Sequence, residues 1–199
     1  MEQANFITLT GSVAGAPEYS HNNHGRNFFS FYLEVERLSG TVDTLPVLVP
    51  EFMLNDMVLS PGDTISLTGQ IRSYNNRSAT GRRLVISVLA DTLEFSEGPH
   101  ENNVELQGII CKDPIYRRTP LGREICDIML AVNRPYHRSD YLPCILWGRT
   151  AQEAACCHVG TGLSITGRMQ SRKYIKVLDD RSEERTAYEI SAMSAEITE

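Results

Sequence analysis

The 199-residue sequence has no apolar run long enough to span a membrane and no motif that is typical of a catalytic site. A membrane-spanning helix needs about 20 apolar residues, and the N-terminal segment MEQANFITLTGS lacks the basic stretch and apolar core of a signal peptide. No Gly-rich phosphate loop or nucleophile elbow occurs. We therefore expect a cytoplasmic protein without a membrane segment, a catalytic site or a cofactor.

The number and spacing of the cysteines suit neither disulfides nor zinc. The five cysteines are odd in number, all lie in the second half of the chain, and form no C-x-x-C pair. Cys156 and Cys157 precede His158, but adjacent residues do not easily both reach one tetrahedral ion. We expect reduced thiols and no metal site.

Positive charge is in deficit overall, but it is unevenly distributed. The chain has 19 basic and 25 acidic side chains, for a net charge of −6, which argues against a nucleic-acid ligand. Residues 112–176, however, carry eleven basic and five acidic side chains, a net of +6, whereas residues 1–98 carry six and eleven, a net of −5. The basic segment is a candidate polyanion-binding surface despite the acidic total.

The sequence contains an internal duplication. A shift of 97 positions aligns residues 5–46 with 102–143 without a gap and gives thirteen identical pairs, where about two or three are expected by chance. Five further identical pairs follow at a shift of 98. The polar segment EFSEGPHENN separates the copies. We divide the chain into a first copy, residues 1–98, and a second copy, residues 99–199.

The sequence of each copy predicts five strands, with one short helix between the third strand and the fourth. In the second copy the turn-rich KDPIYRRTPLG follows the first strand, and RTAQEAACCH has the composition of a helix. EFMLNDMVL holds the equivalent place in the first copy. The pattern predicts an all-β chain of two tandem OB-fold barrels, each a five-stranded Greek key, with an antiparallel sandwich as the alternative.

The third strand of the second copy, DYLPCILWG, is apolar on both faces. Alternation puts Leu142, Cys144 and Leu146 on one face and Tyr141, Pro143, Ile145 and Trp147 on the other. A barrel buries one face, so the second must be covered by a subunit, by the other copy or by a flat ligand.

The fourth strand presents a cationic row. Arg168, Gln170, Arg172 and Tyr174 share one face, and Leu163, Ile165, Gly167 and Met169 share the other. Cations beside an aromatic ring suit a polyanion whose bases can stack, and an ordinary solvated strand face is the alternative.

These segments resemble the bacterial-type single-stranded DNA-binding proteins, over nearly the whole second copy. The resemblance is carried by NNVELQGIICKDPIYRRTPLG, LAVNRPY, SDYLPCILWGRTAQEA, VGTGLSITGRMQSRKY and TAYEIS. It implies base stacking on Tyr136, Tyr141, Trp147 and Tyr174, and backbone contacts from Arg117, Arg149, Arg172 and Lys173. With neighbouring polar side chains, the predicted DNA-binding set also includes Arg118, Arg123, Arg134, Arg168, Gln170 and Lys176.

The first copy departs from the family pattern at all four stacking positions. Their equivalents are Ser39, Thr44, Pro50 and Asn76. We expect this copy to be chiefly structural or dimerising, with residual phosphate contacts through Arg26, Arg37, Arg72 and Arg77.

The resemblance also implies an assembly and a role. Family members commonly assemble four barrels, so two barrels in one chain predict a homodimer. The chain ends at SAMSAEITE, so we expect no recruitment of enzymes through an acidic C-terminal tail.

The expected function is sequence-independent single-stranded DNA binding in replication, repair or recombination, at the nucleoid. The alternatives are a primosome-type accessory protein that docks another protein, and an RNA-binding protein of the same fold.

Overall fold

The computed structural model describes residues 4–78, 81–178 and 181–198, and most of these lie in β-strands. The first copy contains β1 (Asn5–Val13), β2 (Glu18–Asn23), β3 (Arg26–Glu36), β4 (Val42–Pro50), a 3₁₀ helix (Glu51–Leu54), β5 (Thr64–Ser78) and β6 (Gly81–Phe95). The second contains β7 (Glu101–Ile110), β8 (Ile115–Arg118), β9 (Glu124–Arg134), β10 (Arg138–Trp147), α1 (Gly148–Ala155), β11 (Gly162–Leu178) and β12 (Arg181–Thr198).

Five strands of each copy pair in a closed ring. In the first copy the ring is β1, β3, β4, β6 and β5, and in the second it is β7, β9, β10, β12 and β11. Leucines that the duplication pairs fill the two interiors, because alternate strand residues point inward. They are Leu9 with Leu106, Leu33 with Leu130, and Leu45 with Leu142, none more than 2% exposed.

Duplicated glycines lie where two backbones approach closely. A Cβ atom on Gly108 would lie 2.6 Å from the carbonyl oxygen of Ala131, where β7 changes partner from β11 to β9. Gly167 lies at a β-bulge between β11 and β12, and a Cβ there would collide with the carbonyl oxygen of Ser191. Gly11 and Gly69 are the first-copy equivalents. Ring closure therefore requires these glycines.

Two short strands lie in segments that the sequence did not predict as strands. β2 and β8 form hairpins with β3 and β9, and every side chain in both is exposed. Because neither face is buried, the alternation of polar and apolar residues that marks a strand is absent.

The two helical segments also differ from each other. α1 buries Ala151 and Ala154, whereas Glu51–Leu54 forms a single 3₁₀ turn without a buried residue. The first copy therefore lacks the packed helical face that stabilises α1 in the second.

The two copies share one sheet. β1 pairs antiparallel with β7 from Asn5↔Leu106 to Thr10↔Glu101, which joins the strands of the described residues into a single twelve-stranded order. β6 ends at Phe95 and β7 begins at Glu101, so the join between the copies is short.

A reciprocal pair of contacts, which we call the clasp, also joins the copies. Asp43 accepts a hydrogen bond from the Ser171 backbone N–H at 2.8 Å, and Asp140 accepts one from the backbone N–H of Ser73. The hydroxyl oxygen of Ser73 in turn accepts a hydrogen bond from Tyr141 N–H at 2.7 Å. These aspartates and serines are identical pairs in the duplication.

Arginines neutralise both buried aspartates of the clasp. Asp43 and Asp140 are 0% exposed. Arg37 donates two hydrogen bonds of 2.6 Å to Asp43. Arg72 Nη1 lies 3.2 Å and Arg134 Nε 3.1 Å from Asp140 Oδ2.

Among the described residues, no helix is long and apolar enough to cross a membrane.

Asp140→Asn is expected to destabilise the protein by about 2–3 kcal/mol, because it leaves two partly buried guanidinium groups without their counter-ion. Urea unfolding at neutral pH measures the change. The exposed Asp113→Asn is the control, with an expected effect below about 0.5 kcal/mol. Equal stabilities of the two variants would show that the clasp contributes nothing.

Candidate nucleic-acid interface

An open groove of about 620 Å³ lies on the outer face of the second copy. The β8–β9 hairpin, β10, β11 and β12 all contribute to it. Six of the predicted site residues line this groove: Arg117, Arg123, Trp147, Arg168, Gln170 and Arg172. The tertiary structure thus brings together side chains that are up to 55 positions apart in sequence.

Trp147 is the aromatic ring of this groove. The alternation along β10 buries Leu142, Cys144 and Leu146 inside and turns Trp147 outward. The indole N–H donates to the Ser191 hydroxyl oxygen at 3.0 Å, which fixes the ring plane. Gly148, at φ +55°, ends the strand directly after the tryptophan. The ring is partly exposed and suits stacking with a planar ligand.

The row on β11 is not uniformly exposed. Gln170 is only 8% exposed, and its amide donates to Glu189 Oε1 at 2.9 Å. A cross-strand carboxylate thus holds the Gln170 amide, and a contact of Gln170 with DNA stays a prediction. The Nε of Arg168 is buried and lacks a hydrogen-bond partner.

Tyr174 continues the row beyond the groove, next to Arg172. The Arg172 Cζ lies 5.8 Å from the centroid of the Tyr174 ring, within cation–π distance. Lys173 pairs with Glu184 at 3.1 Å, and Lys176 is exposed on the same β11–β12 hairpin. The hairpin therefore extends the cationic surface away from Trp147.

The other two predicted rings lie on the β9–β10 hairpin. Tyr141 is 44% and Tyr136 is 92% exposed. Tyr136 has a positive φ of 64°, in the turn between the two strands. Neither ring lines the groove, so contact with both would need a ligand that runs beyond it.

Three predicted arginines lie elsewhere or are engaged otherwise. Arg118 pairs with Glu124 at 2.9 Å, and Arg149 pairs with Glu153 on the exposed face of α1, also at 2.9 Å. Arg134 belongs to the clasp and faces the first copy, and its contact with DNA stays a prediction.

One first-copy residue lies in this groove, and the sequence predicted a residual phosphate contact for it without placing it here. Arg37 lines the groove while its guanidinium is held by Asp43. Its only sequence signal is the identity of Arg37 and Arg134 in the duplication, which does not reveal that each side chain crosses to the other copy. The remaining unpredicted lining residues are Thr119, Ile125, Ile145, Glu189, Ser191, Ala192 and Met193.

The charge of the second copy is less one-sided than residues 112–176 suggest. Over residues 99–199, thirteen basic side chains are matched by fourteen acidic ones. Strand β12 lies beside the cationic row of β11 and carries Glu184 and Glu189. The positive excess over residues 112–176 is therefore not a property of the whole second copy, because β12 supplies acidic side chains that the count over 112–176 omits.

A groove at the equivalent place occurs on the first copy. It has a volume of about 920 Å³, and Arg72, Tyr74 and Leu48 line it where Gln170, Arg172 and Ile145 line the other. Tyr74 and Tyr32 are 58% and 51% exposed there.

The four first-copy arginines have different surroundings. Arg26 is exposed in the β2–β3 hairpin, whereas Arg37 and Arg72 belong to the clasp. The side chain of Arg77 lies outside the described residues.

The cysteines take no part in the groove. Burial raises the pKa of the Cys144 thiol well above its ordinary value, and Cys126 is likewise buried, whereas Cys156 is exposed. Within residues 4–78, 81–178 and 181–198, no three potential metal-ligating side chains cluster.

The second copy matches a known sequence family. The model of the single-strand binding protein family matches residues 101–198. The chain is 38% identical over 80 residues to single-stranded DNA-binding protein B of Bacillus subtilis (strain 168). The aligned segment covers 37% of this chain and 71% of that protein. It is 36% identical over 80 residues to the single-stranded DNA-binding protein of Enterococcus faecalis, covering 37% of this chain and 43% of the relative. The chain thus spans half or less of several longer relatives.

The fold as a whole matches a solved structure. The wild-type single-stranded DNA binding protein from Thermus aquaticus superposes with a TM-score of 0.80, over 98% of this chain and 93% of that one. The sequences are 21% identical, so this likeness bears on the fold alone.

Proposed function

Because the chain belongs to the single-strand binding protein family, we propose that it binds single-stranded DNA without sequence specificity and without catalysis. The observation that carries the proposal is the groove in which the partly exposed Trp147 lies among arginines from β8, β11 and the first copy. A base stacks on the indole ring, and each stacked base contributes about 1–3 kcal/mol to binding. The guanidinium groups bind phosphates. Protection of exposed strands in replication, repair and recombination is the corresponding role, at the nucleoid in the cytoplasm.

Each closed ring of strands corresponds in this proposal to one OB-fold domain, with residues 1–98 in the first and 99–199 in the second. The closed pairing of five strands and the helical segment after β4 and after β10 support this division. The continuous β1–β7 pairing and the clasp then hold the two domains in a fixed relation.

The second domain is the principal binding surface in this proposal, and the first is chiefly structural. Arg72 and Arg134, the cations that line the first-copy groove, are both held by the buried Asp140. In the second-copy groove, Arg123 and Arg168 have no ion-pair partner within the described residues.

Titration with oligo-dT is expected to quench the fluorescence of Trp147, the single tryptophan of the chain. A stacked base contacts the indole directly and changes its surroundings. A parallel titration with oligo-U tests the RNA alternative. Tighter binding to oligo-U than to oligo-dT would favour that alternative. Unchanged emission together with no gel shift at low salt would refute DNA binding and favour a protein-docking role.

Trp147→Ala is expected to weaken oligo-dT binding by about tenfold or more, which corresponds to the loss of one stacked base. Tyr74→Ala removes an exposed ring from the first-copy groove and is the matched control, with an expected change below about threefold. Fluorescence anisotropy of a labelled oligo-dT measures both. Equal losses would mean that both copies bind DNA to the same extent, against the proposed division.

We further propose that two chains form a homodimer. The outer strands β2 and β8 stand at the two ends of the sheet order of the described residues, and unpaired edges favour association. Sedimentation equilibrium is expected to give twice the chain mass of 22.3 kDa at micromolar concentration. A monomer mass across that range would refute the dimer.

A further inference from the structure

A buried carboxylate lies inside the groove. Glu189 stands opposite Gln170 in the β11–β12 ladder, and its side chain is only 8% exposed. Its Oε1 accepts a hydrogen bond from Gln170 Nε2 at 2.9 Å. Arg168 and Arg172 lie diagonally across the ladder, opposite Ser191 and Ala187. The carboxylate is thus at the centre of the cationic row.

The charge of Glu189 reaches arginines from three parts of the fold. Arg172 Nε lies 3.6 Å from Glu189 Oε1. The hydrogen bond to Asp43 is the main cause that raises the pKa of Arg37, and the charge of Glu189 adds to it. For Arg117 the hydrogen bond to Asp127 raises the pKa most, and Glu189 again adds to it. Among the described lining residues of the groove, Glu189 is the one acidic side chain.

This position does not require a carboxylate for the strands to close. In the first copy, Ser87 stands opposite Arg72 where Glu189 stands opposite Gln170. The same pairing of strands and the same bulge occur there. A polyanion that enters the second-copy groove meets a like charge, which lowers its affinity.

Resting on the single-stranded DNA binding proposed above, we propose that Glu189 is an internal counter-ion of the groove, which occupies Arg172 in the free protein and competes with a phosphate for that guanidinium. Binding then exchanges one anionic partner of Arg172 for another. The carboxylate therefore keeps the affinity below what the arginines alone would give, and a bound strand dissociates more readily.

Glu189→Gln tests the inference, because glutamine keeps the shape and can still accept the hydrogen bond from Gln170. Anisotropy titrations with labelled oligo-dT, repeated over a range of salt concentrations, compare it with the wild type. We expect about fivefold tighter binding at low salt. We also expect a log–log salt slope that is steeper by up to about 0.7. In the wild type the released carboxylate takes up a cation, which offsets one counterion released from the DNA.

Glu196→Gln is the matched control, because it makes the same change of net charge on an exposed position of the same strand. Its affinity is expected to stay within about twofold of the wild type, since exposed charges are screened. In an Arg172→Ala background, Glu189→Gln is expected to raise the affinity for oligo-dT by less than twofold. Glu189 then has no Arg172 guanidinium to occupy. Glu189→Ser, which copies the first-copy residue Ser87, provides a second neutral variant, and thermal melts establish that each variant is folded.

The outcomes separate the two proposals. If the wild type binds oligo-dT and folded Glu189→Gln and Glu189→Ser bind equally or more weakly, Glu189 is a positioning residue for the arginines and the counter-ion role is overturned. An equal gain in Glu196→Gln would also overturn it, since net charge alone would then account for the effect. If neither the wild type nor any variant binds oligo-dT, the proposed function fails and this inference fails with it.

Discussion

The antiparallel pairing of β1 with β7 is the contact on which the arrangement of the molecule depends. It joins two closed rings of strands edge to edge, and it brings the aspartate of each copy within reach of the β-hairpin of the other. Each aspartate then accepts a hydrogen bond from a backbone N–H of the opposite copy, and arginines neutralise the charge. Buried carboxylates are tolerable only with such partners. The duplication in the sequence thus produces a two-fold related interface in a single chain.

The groove on the second copy follows from this arrangement. β10 presents Trp147, β11 presents Arg168 and Arg172, and the first copy adds Arg37 through the clasp. Arg37 therefore belongs to both the clasp and the groove. Asp43 accepts hydrogen bonds from Arg37 and from the backbone N–H of Ser171 on β11. Contacts between the two copies, as well as contacts within the second copy, therefore fix the positions of the side chains that line the groove.

Much of this could be read from the sequence, where a local pattern carries the information. The alternation in DYLPCILWG indicates which side of β10 carries Trp147, because side chains alternate across a strand whatever its partner. The duplicated Gly108 and Gly167 mark close backbone approaches. The strands β2 and β8 were missed because fully exposed strands have no such alternation. The state of Gln170 was missed because it depends on Glu189, which is 19 positions away and opposite it only through the ladder register.

The sequence by itself determined the strand-rich duplicated chain, the inward and outward faces of its strands, and a concentration of basic side chains in the second copy. Those properties depend on residue type and on spacing along the chain, which are local. The tertiary structure decided how the cations are paired: Arg134 with the buried Asp140, Arg172 with Glu189, and Arg37 with the buried Asp43. Charge interactions depend on distance in space and on burial, so the net charge of a segment does not give the charge that a ligand meets.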